Sequence, residues 1–316
     1  MTKTSDFVFV LIEEFSHLAF SCALEPLRIA NLVGGREFYR WHLASNDGRR
    51  ATCSNGAVTL VDRGLTPTPR DARVMVVSGM NVHNHVTPEL LNFLRAERVK
   101  GTSIAAICSG AFILAEAGFL TGHRAAIHWE YHDVFAERFP LVKLMTSVFV
   151  ADEKFVTAAG GAAVADLMLH TIAREHGSDL AAEVADQMVY NAVREGSATQ
   201  RVSIRSRYGV RNSRLGHAIR LIEENIESPL SNSQLSSRVV VSTRQLERMF
   251  ERYLTTSPRR YTLHLRLHRA RNLLVQSEQE ITEVAMACGF TSVSHFSKVY
   301  RDHFGNTPGQ QRSILY

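Results

Sequence analysis

A stretch of seventeen residues occurs twice in the last third of the chain, at an offset of fifty and without a gap. Ser242–Pro258, "STRQLERMFERYLTTSP", lies over Ser292–Pro308, "SVSHFSKVYRDHFGNTP", pairing Leu246 with Phe296, Arg248 with Lys298, Met249 with Val299 and Phe250 with Tyr300. Each copy opens on a serine able to cap a helix, keeps apolar residues at i, i+3 and i+4, and stops before a proline, which describes one short amphipathic helix. Upstream lie two further short helical patterns, "LSNSQLSSRV" with Leu235 inward and "ITEVAMACGF" with Ile281, Val284, Ala285 and Cys288 inward. Two helices joined by a tight turn make a helix-turn-helix. Gly289 marks the second turn, because glycine takes the left-handed conformation that ends a helix sharply. The first copy has Val239, Val240 and Val241 there, a weaker turn signal. Between the copies, Ser257 to Gln276 runs almost without breakers, with Tyr261, Leu265, Leu267 and Leu274 among arginines, and reads as a long linker helix.

Charge is distributed in keeping with this. From Arg205 to Tyr316 there are 17 Lys and Arg against 9 Asp and Glu, whereas the preceding residues hold 19 against 22. A basic segment joined to a mildly acidic one is the electrostatic footprint of a chain whose C-terminal part meets a polyanion. A helix-turn-helix places the N-terminal part of its second helix in the major groove, and two units about one turn apart, roughly 34 Å, read successive grooves of double-stranded DNA. The expected DNA-binding residues are Ser242, Thr243, Arg244, Glu247 and Arg248 on the first reading helix and Ser292, Ser294, His295 and Lys298 on the second. Arg259 and Arg260, just after Pro258, suit phosphates, which position a protein without reporting sequence.

"RLHRARNLLVQSEQEITEVAMACGFTSVSHFSKVYRDHFGNTPGQQR" resembles the AraC-type DNA-binding domain over about Ser213 to Arg312. The resemblance implies a transcriptional regulator with two helix-turn-helix units joined by a linker helix. Thr255 departs from it, standing where the family often has glycine, and a less sharp helix end is expected there.

In the first two-thirds, β-type runs ("FVFVLI" from Phe7, "YRWHLA" from Tyr39, "RVMVVSG" from Arg73, "SIAAIC" from Ser103 and "KFVTAAG" from Lys154) alternate with helical ones. Such alternation argues for a doubly wound, mostly parallel α/β sheet of flavodoxin type, whose ligands gather beyond the C-terminal strand ends. Those ends supply Glu13, Phe15, Gly79, Met80, Cys108 and Ser109. "EPLRIAN", "MVVSGM", "AAICSGAFILAEAGFLTGHRAAIHWEY" and "AAGGAAVADLMLHTIAREHG" resemble the ThiJ/PfpI domain of the class I glutamine amidotransferase-like superfamily, in the version fused to AraC domains in GlxA-type regulators. The resulting division is an effector-sensing domain over 1–190, a polar, basic linker over 191–212, and a DNA-binding domain over 213–316. The apolar stripe of Ala181, Val184, Ala185, Met188 and Val189 suits either internal packing or a dimer contact.

Cys108 ends a strand and turns through Ser109 and Gly110 into a helix, the mounting used for nucleophiles. A reactive thiolate needs a helix N-terminus and a histidine partner, for which His128 in "AAIHWEY" is the candidate. In PfpI-type peptidases a histidine directly follows the elbow cysteine. Here that position is Ser109, and no glutamate can be placed beside the sulfur, since Leu18, Ala19 or Phe20 takes its position. The favoured reading is therefore a pocket that binds without turnover, with Cys108 and His128 as degenerate catalytic candidates. The Ser109 hydroxyl and backbone amides would hold an anionic group, and Phe15, Phe20, Trp129 and Tyr131 would face a cationic nitrogen. The effector set is Glu13, Phe15, Gly79, Met80, Cys108, Ser109, His128 and Trp129; the text "EPLRIAN" followed by "REFYRW" resembles GlxA-type regulators that sense amino acids or betaine-like quaternary amines, and the resemblance implies a small zwitterion. The alternative is a DNA-tethered cysteine hydrolase using Cys108 and His128. No cofactor is implied, and the scattered His83, His85, His123, His128 and His132 form no metal motif.

Four scattered cysteines, no apolar run of membrane length and an N-terminal run of only six apolar residues closed by two glutamates lead to an expectation of a cytoplasmic protein without membrane contact. Its expected partners are promoter DNA, a small-molecule effector, a second copy of itself as a homodimer, and RNA polymerase, with activation the expected direction.

Overall fold

Apolar residues run nearly unbroken through Phe7–Ile12, Val74–Val77 and Ile104–Ile107, as strands buried on both faces require, and the computed structural model pairs them accordingly. It describes residues 4–152, 154–191, 193–198, 200 and 213–313. The chain divides into two units, Met1–Gln200 and Arg201–Tyr316.

In the first unit, strands β1 (Ser5–Leu11), β2 (Tyr39–Ala44), β5 (Arg73–Val77), β6 (Ser103–Ile107) and β10 (Phe155–Ala158) lie parallel in the order β2-β1-β5-β6-β10, and the short β9 (Phe149–Ala151) adds an antiparallel edge. This is the flavodoxin-type order, and all five expected strands are present. Register pairs Val8 with Val74 and Val74 with Ile104, so consecutive apolar residues are buried on both faces, as parallel strands require. Helices α1 (His17–Val33), α5 (Ala163–His176) and α6 (Ser178–Gln187) join the core through Ala23, Leu27, Ile172 and Val184. The stripe of Ala181, Val184 and Ala185 thus packs internally. Helices α2 (Pro88–Val99), α3 (Gly110–Glu116) and α4 (His132–Arg138) complete the larger elements. Two small ladders, β3 (Arg50–Thr52) with β4 (Val58–Leu60) and β7 (Arg124–Ala126) with β8 (Lys143–Met145), have no counterpart among the strands expected from sequence.

Arg194 and Gln200, which fall in the first part of the linker expected from sequence, are tied to this unit. Arg194 donates its backbone N–H and its Nε to the buried Asp166, each at 2.8 Å, and Gln200 donates Nε2 to the carbonyls of Ile127 and Ser147, each at 2.9 Å. Residues 201–212, the rest of the expected linker, lie outside the described residues.

The second unit opens with α7 (Ser213–Glu224), an element not expected from sequence, whose Leu215, Ala218, Ile219 and Ile222 pack on Leu235, Val239, Leu246 and Phe250. Helix α8 (Asn232–Arg238) and reading helix α9 (Thr243–Leu254) form the first helix-turn-helix; α11 (Ile281–Ala287) and α12 (Val293–Phe304) form the second. The linker α10 runs Pro258–Gln276 and α13 (Pro308–Ser313) follows. Fifty residues apart, Leu246 and Phe296, then Phe250 and Tyr300, are fully buried, so the repeat in sequence is a repeat in packing.

Two expectations about helix ends are corrected. The Val239–Val241 turn is as tight as its counterpart, because Val240 takes φ +56° where Gly289 takes +74°. Likewise Thr255, at φ +50°, caps α9 with its N–H on the Glu251 carbonyl, as Gly305 caps α12 on Arg301. Packing of the flanking helices imposes the left-handed conformation on β-branched residues that resist it. Val240 is largely solvent-exposed, so nothing but backbone conformation is at stake. Val240→Gly is expected to stabilise the second unit by about 1 kcal/mol, read as a higher denaturant midpoint of its unfolding transition.

Candidate effector elbow and nucleic-acid interface

At the end of β6 the chain reverses through Cys108, which has φ +61° and is buried. Its N–H donates to the Ala158 carbonyl at 2.9 Å, and the neighbouring strand end runs so close that a Cβ on Gly160 would stand 3.0 Å from the sulfur. The elbow is therefore tight and dry. Burial pushes the Cys108 thiol up to about 12, against a smaller downward pull from the Ser109 N–H, and Glu130 adds to the rise. At neutral pH the group is a neutral thiol rather than a nucleophile.

His128 has a carboxylate beside it: its Nδ1 lies 3.5 Å from Glu130. Burial holds His128 below the ordinary imidazole value, with Glu130 opposing. Both members of the expected dyad are thus held neutral by loss of water.

Several expected effector residues are occupied structurally. Phe15 is wholly buried and meets Phe20 edge-on, so its ring is core rather than a pocket wall. The fully buried Ser109 donates its hydroxyl to the Gly79 carbonyl at 2.6 Å, and Tyr131 donates to the same oxygen at 2.9 Å. Gly79 is the acceptor that ties these two side chains together. Glu13 accepts the Thr52 N–H at 3.0 Å. Glu13, Met80 and Trp129 are the exposed members of the set.

Glu14, absent from the expected set, is the acidic group beside this loop. At φ +60° its carboxylate receives Asn81 Nδ2 and His85 Nε2, both at 3.0 Å, and its carbonyl receives the Met80 N–H. A cavity of about 350 Å³ opens nearby at the end of β1, between Glu13, Asp47, Arg50, Asn84 and His85. It lies where strand order reverses, beside β1. Neither this cavity nor two others, of about 380 and 580 Å³, is lined by Cys108, Ser109, His128 or Trp129.

The remaining histidines are dispersed: His83 stands edge-on to Phe112, His123 to Phe155, and His132 donates to the Ile127 carbonyl. Among the described residues no group of three His, Cys, Asp or Glu side chains is arranged to hold a metal ion.

In the second unit the two reading helices present their polar residues opposite the buried Leu246/Phe250 and Phe296/Tyr300 pairs. Thr243, Arg244, Glu247 and Arg248 are exposed on α9, and Ser294, His295 and Lys298 on α12. Arg259 and Arg260 are exposed in the first turn of α10. Ser242 and Ser292 act structurally, as helix caps whose hydroxyls accept the N–H groups of Gln245 and His295.

Contacts of α10 with each helix-turn-helix hold the two in register. Arg266 stacks 4.0 Å over Phe290 and donates Nε to the Cys288 carbonyl, and Arg269 pairs with Glu227 at 3.0 Å. Gly289 closes the junction: a Cβ there would stand 2.6 Å from the carbonyl oxygens of both Ile226 and Glu227. His264 and His268 on α10 face His303 of α12, ring centroids 4.8 and 5.6 Å away.

A parallel α/β domain carrying an elbow cysteine, joined to a duplicated helix-turn-helix, defines an HTH-type transcriptional regulator with an amidotransferase-like domain. Family models match accordingly, the DJ-1/PfpI family over residues 7–174 and a helix-turn-helix domain over residues 235–313. The HTH-type transcriptional regulator GbdR of Pseudomonas aeruginosa is 41% identical over 304 residues, covering 96% of this chain and 83% of that protein. GlxA of Rhizobium meliloti, also an HTH-type transcriptional regulator, is 34% identical over 305 residues, covering 96% and 94%. A solved structure of an AraC family transcriptional regulator from Pseudomonas putida superposes with a TM-score of 0.51 at 25% identity, covering 58% of this chain and 99% of that one. The chain belongs to the AraC-family regulators that carry a DJ-1/PfpI domain. Regulators of this type bind DNA through the helix-turn-helix region, and among the described residues no helix is long and apolar enough to cross a membrane.

Two measurements test these sites. With so high a pKa the Cys108 thiolate at pH 8 is roughly a thousandfold scarcer than for an ordinary cysteine, so iodoacetamide is expected to modify it at least about a hundredfold more slowly than in the urea-unfolded chain. Burial lowers the pKa values of His264 and His268, reinforced by His303 and by Arg260 and Arg271 respectively. The unfolded state then takes up protons first, so their contribution is complete above about pH 6.5 and is lost as pH falls through the lower folded-state values. Melting of the second unit is expected to drop between pH 7 and 5, and by less in His303→Gln.

Proposed function

We propose that this regulator is a cytoplasmic homodimer whose α/β domain binds a small zwitterionic metabolite, an amino acid or betaine, without turning it over. The bound state alters how the helix-turn-helix pair meets promoter DNA, in the direction of activation through RNA polymerase. The observation that carries the non-catalytic reading is the buried Cys108 thiol, held neutral by loss of water, with His128 Nδ1 3.5 Å from the Glu130 carboxylate. Acidic Glu13, Glu14 and Asp47 close to Arg50 and His85 supply both charge types that a zwitterion needs, at the strand ends where α/β folds bind ligands.

On the DNA side, Arg244, Glu247 and Arg248, with Ser294, His295 and Lys298, are proposed to face base edges, and Thr243 the thymine methyl surroundings. Arg259 and Arg260 are proposed to hold phosphates. Linkage requires that the effector bind the DNA-competent state with a different affinity from the other state.

For the full chain on its promoter, Arg248→Ala and Lys298→Ala are each expected to weaken specific binding about tenfold and to relax sequence preference. Arg259→Ala is expected to weaken all sequences alike and to reduce the salt slope by about one. Electrophoretic mobility shifts at several salt concentrations read both, and unchanged operator affinity in the first two variants removes them from the reading set. Glycine betaine and L-arginine, screened against the full chain by thermal shift, are the probes for the effector. A ligand that binds only the native state raises its melting temperature. Cys108-dependent hydrolysis of amide or ester substrates would overturn the non-catalytic reading.

A further inference from the structure

We infer that the described residues between Tyr190 and Gln200 form a strap that carries a change at the Cys108 elbow to the chain entering the DNA-binding unit. The inference rests on the effector site proposed above beside β1, which reaches the elbow through the Met80 N–H on the Glu14 carbonyl and the Ser109 hydroxyl on the Gly79 carbonyl. Two routes lead from the elbow to this strap, and they reach its opposite ends.

The first route runs through the neighbouring strand end. Cys108 donates its N–H to Ala158 and stands against Gly160, so a displaced elbow cannot leave the Gly160–Gly161 turn where it is. That turn leads directly into α5, whose first turn holds Asp166 with its side chain completely buried. The Asp166 carboxylate is satisfied by the strap: it accepts the Arg194 N–H and Nε at 2.8 Å each and Tyr190 Oη at 2.9 Å, and it pairs with Arg194 Nη2 at 2.7 Å. A buried carboxylate cannot be left without these donors cheaply, so α5 and the strap move as one.

The second route runs through Tyr131, which shares the Gly79 carbonyl with Ser109 of the elbow and meets the His128 ring at 6.5 Å. The residue before His128, Ile127, offers its carbonyl to Gln200 Nε2 at 2.9 Å and to His132 Nε2 at 3.1 Å. Gln200 also donates its backbone N–H to Thr146 and its side-chain amide to Ser147. A shift of the His128 segment therefore pulls on the last described residue before the chain passes toward α7. Beneath the strap lies the cavity of about 580 Å³, walled by Leu169, Ala173, Ala181, Ala185 and Val193. The strap is thus pinned by polar contacts at Asp166 and at Ile127 and Ser147, and between them it walls that cavity on one side while the Ala198 carbonyl accepts the Val148 N–H at 2.8 Å, so its described residues are tied to both routes.

The test uses the full chain and needs no ligand. Cys108→Phe overfills the elbow; backbone amides of residues 193–198 are expected to exchange with deuterium at least fivefold faster than in the wild type, with α9 and α12 unchanged. Coupling is reciprocal, so Gln200→Ala, which alters only the strap end, is expected to speed iodoacetamide modification of Cys108 at least fivefold. The second variant decides the matter if Cys108→Phe fails to fold. Wild-type alkylation of Cys108 in Gln200→Ala, or wild-type protection of 193–198 in a folded Cys108→Phe, overturns the relay. The ligand screen fails separately: a melting temperature unmoved by glycine betaine or L-arginine counts against the zwitterion and leaves both strap results standing.

Discussion

The close approach of Gly289 to the carbonyls of Ile226 and Glu227 is the contact on which the DNA-binding unit depends. It combines two demands that only glycine meets together, a left-handed backbone and no Cβ facing two oxygens. Arg266 on the adjoining Cys288 carbonyl and Arg269 on Glu227 brace the same junction from α10. A pair of reading helices is useful only when their separation matches the pitch of DNA, and this junction removes the freedom that would blur it. The first copy needs no such approach, which is why Val240, strained but exposed, suffices there.

In the α/β unit, the elbow that mounts a nucleophile elsewhere is built here with the same backbone and opposite electrostatics. A positive φ at Cys108 and a close Gly160 reproduce the mounting, while burial holds the thiol neutral and Glu130 stands beside His128. Chemistry needs a stabilised thiolate; a responsive element needs only a tightly coupled turn. The contacts around Cys108 keep the turn tightly packed with the thiol uncharged.

Legibility followed the range of the interactions. The five parallel strands and both reading helices were readable because their periodicity is local and strong. Three-residue ladders such as β3 with β4 carry too few alternations to show. Helix α7 had a signal in Leu215, Ala218, Ile219 and Ile222, at helical spacing, hidden beside a polar, basic stretch. Arg194 and Gln200 looked like part of a linker because their anchors, Asp166 and Ile127, are distant in sequence. Phe15 and Ser109 were placed correctly at strand ends, yet their side chains turn into the core, a matter of packing that no strand pattern reports.

What the sequence by itself determined was the kind of protein: a duplicated capped amphipathic helix with basic residues beside the core positions, behind an alternating α/β domain. These are short-range patterns, each set by a helix or strand period and its caps. Only the tertiary structure decided whether the elbow cysteine is charged, which of the expected pocket residues are occupied, and where the chain leaves the first unit. Each of those depends on water exclusion or on hydrogen bonds between residues far apart in the chain, and neither is encoded in any local spacing.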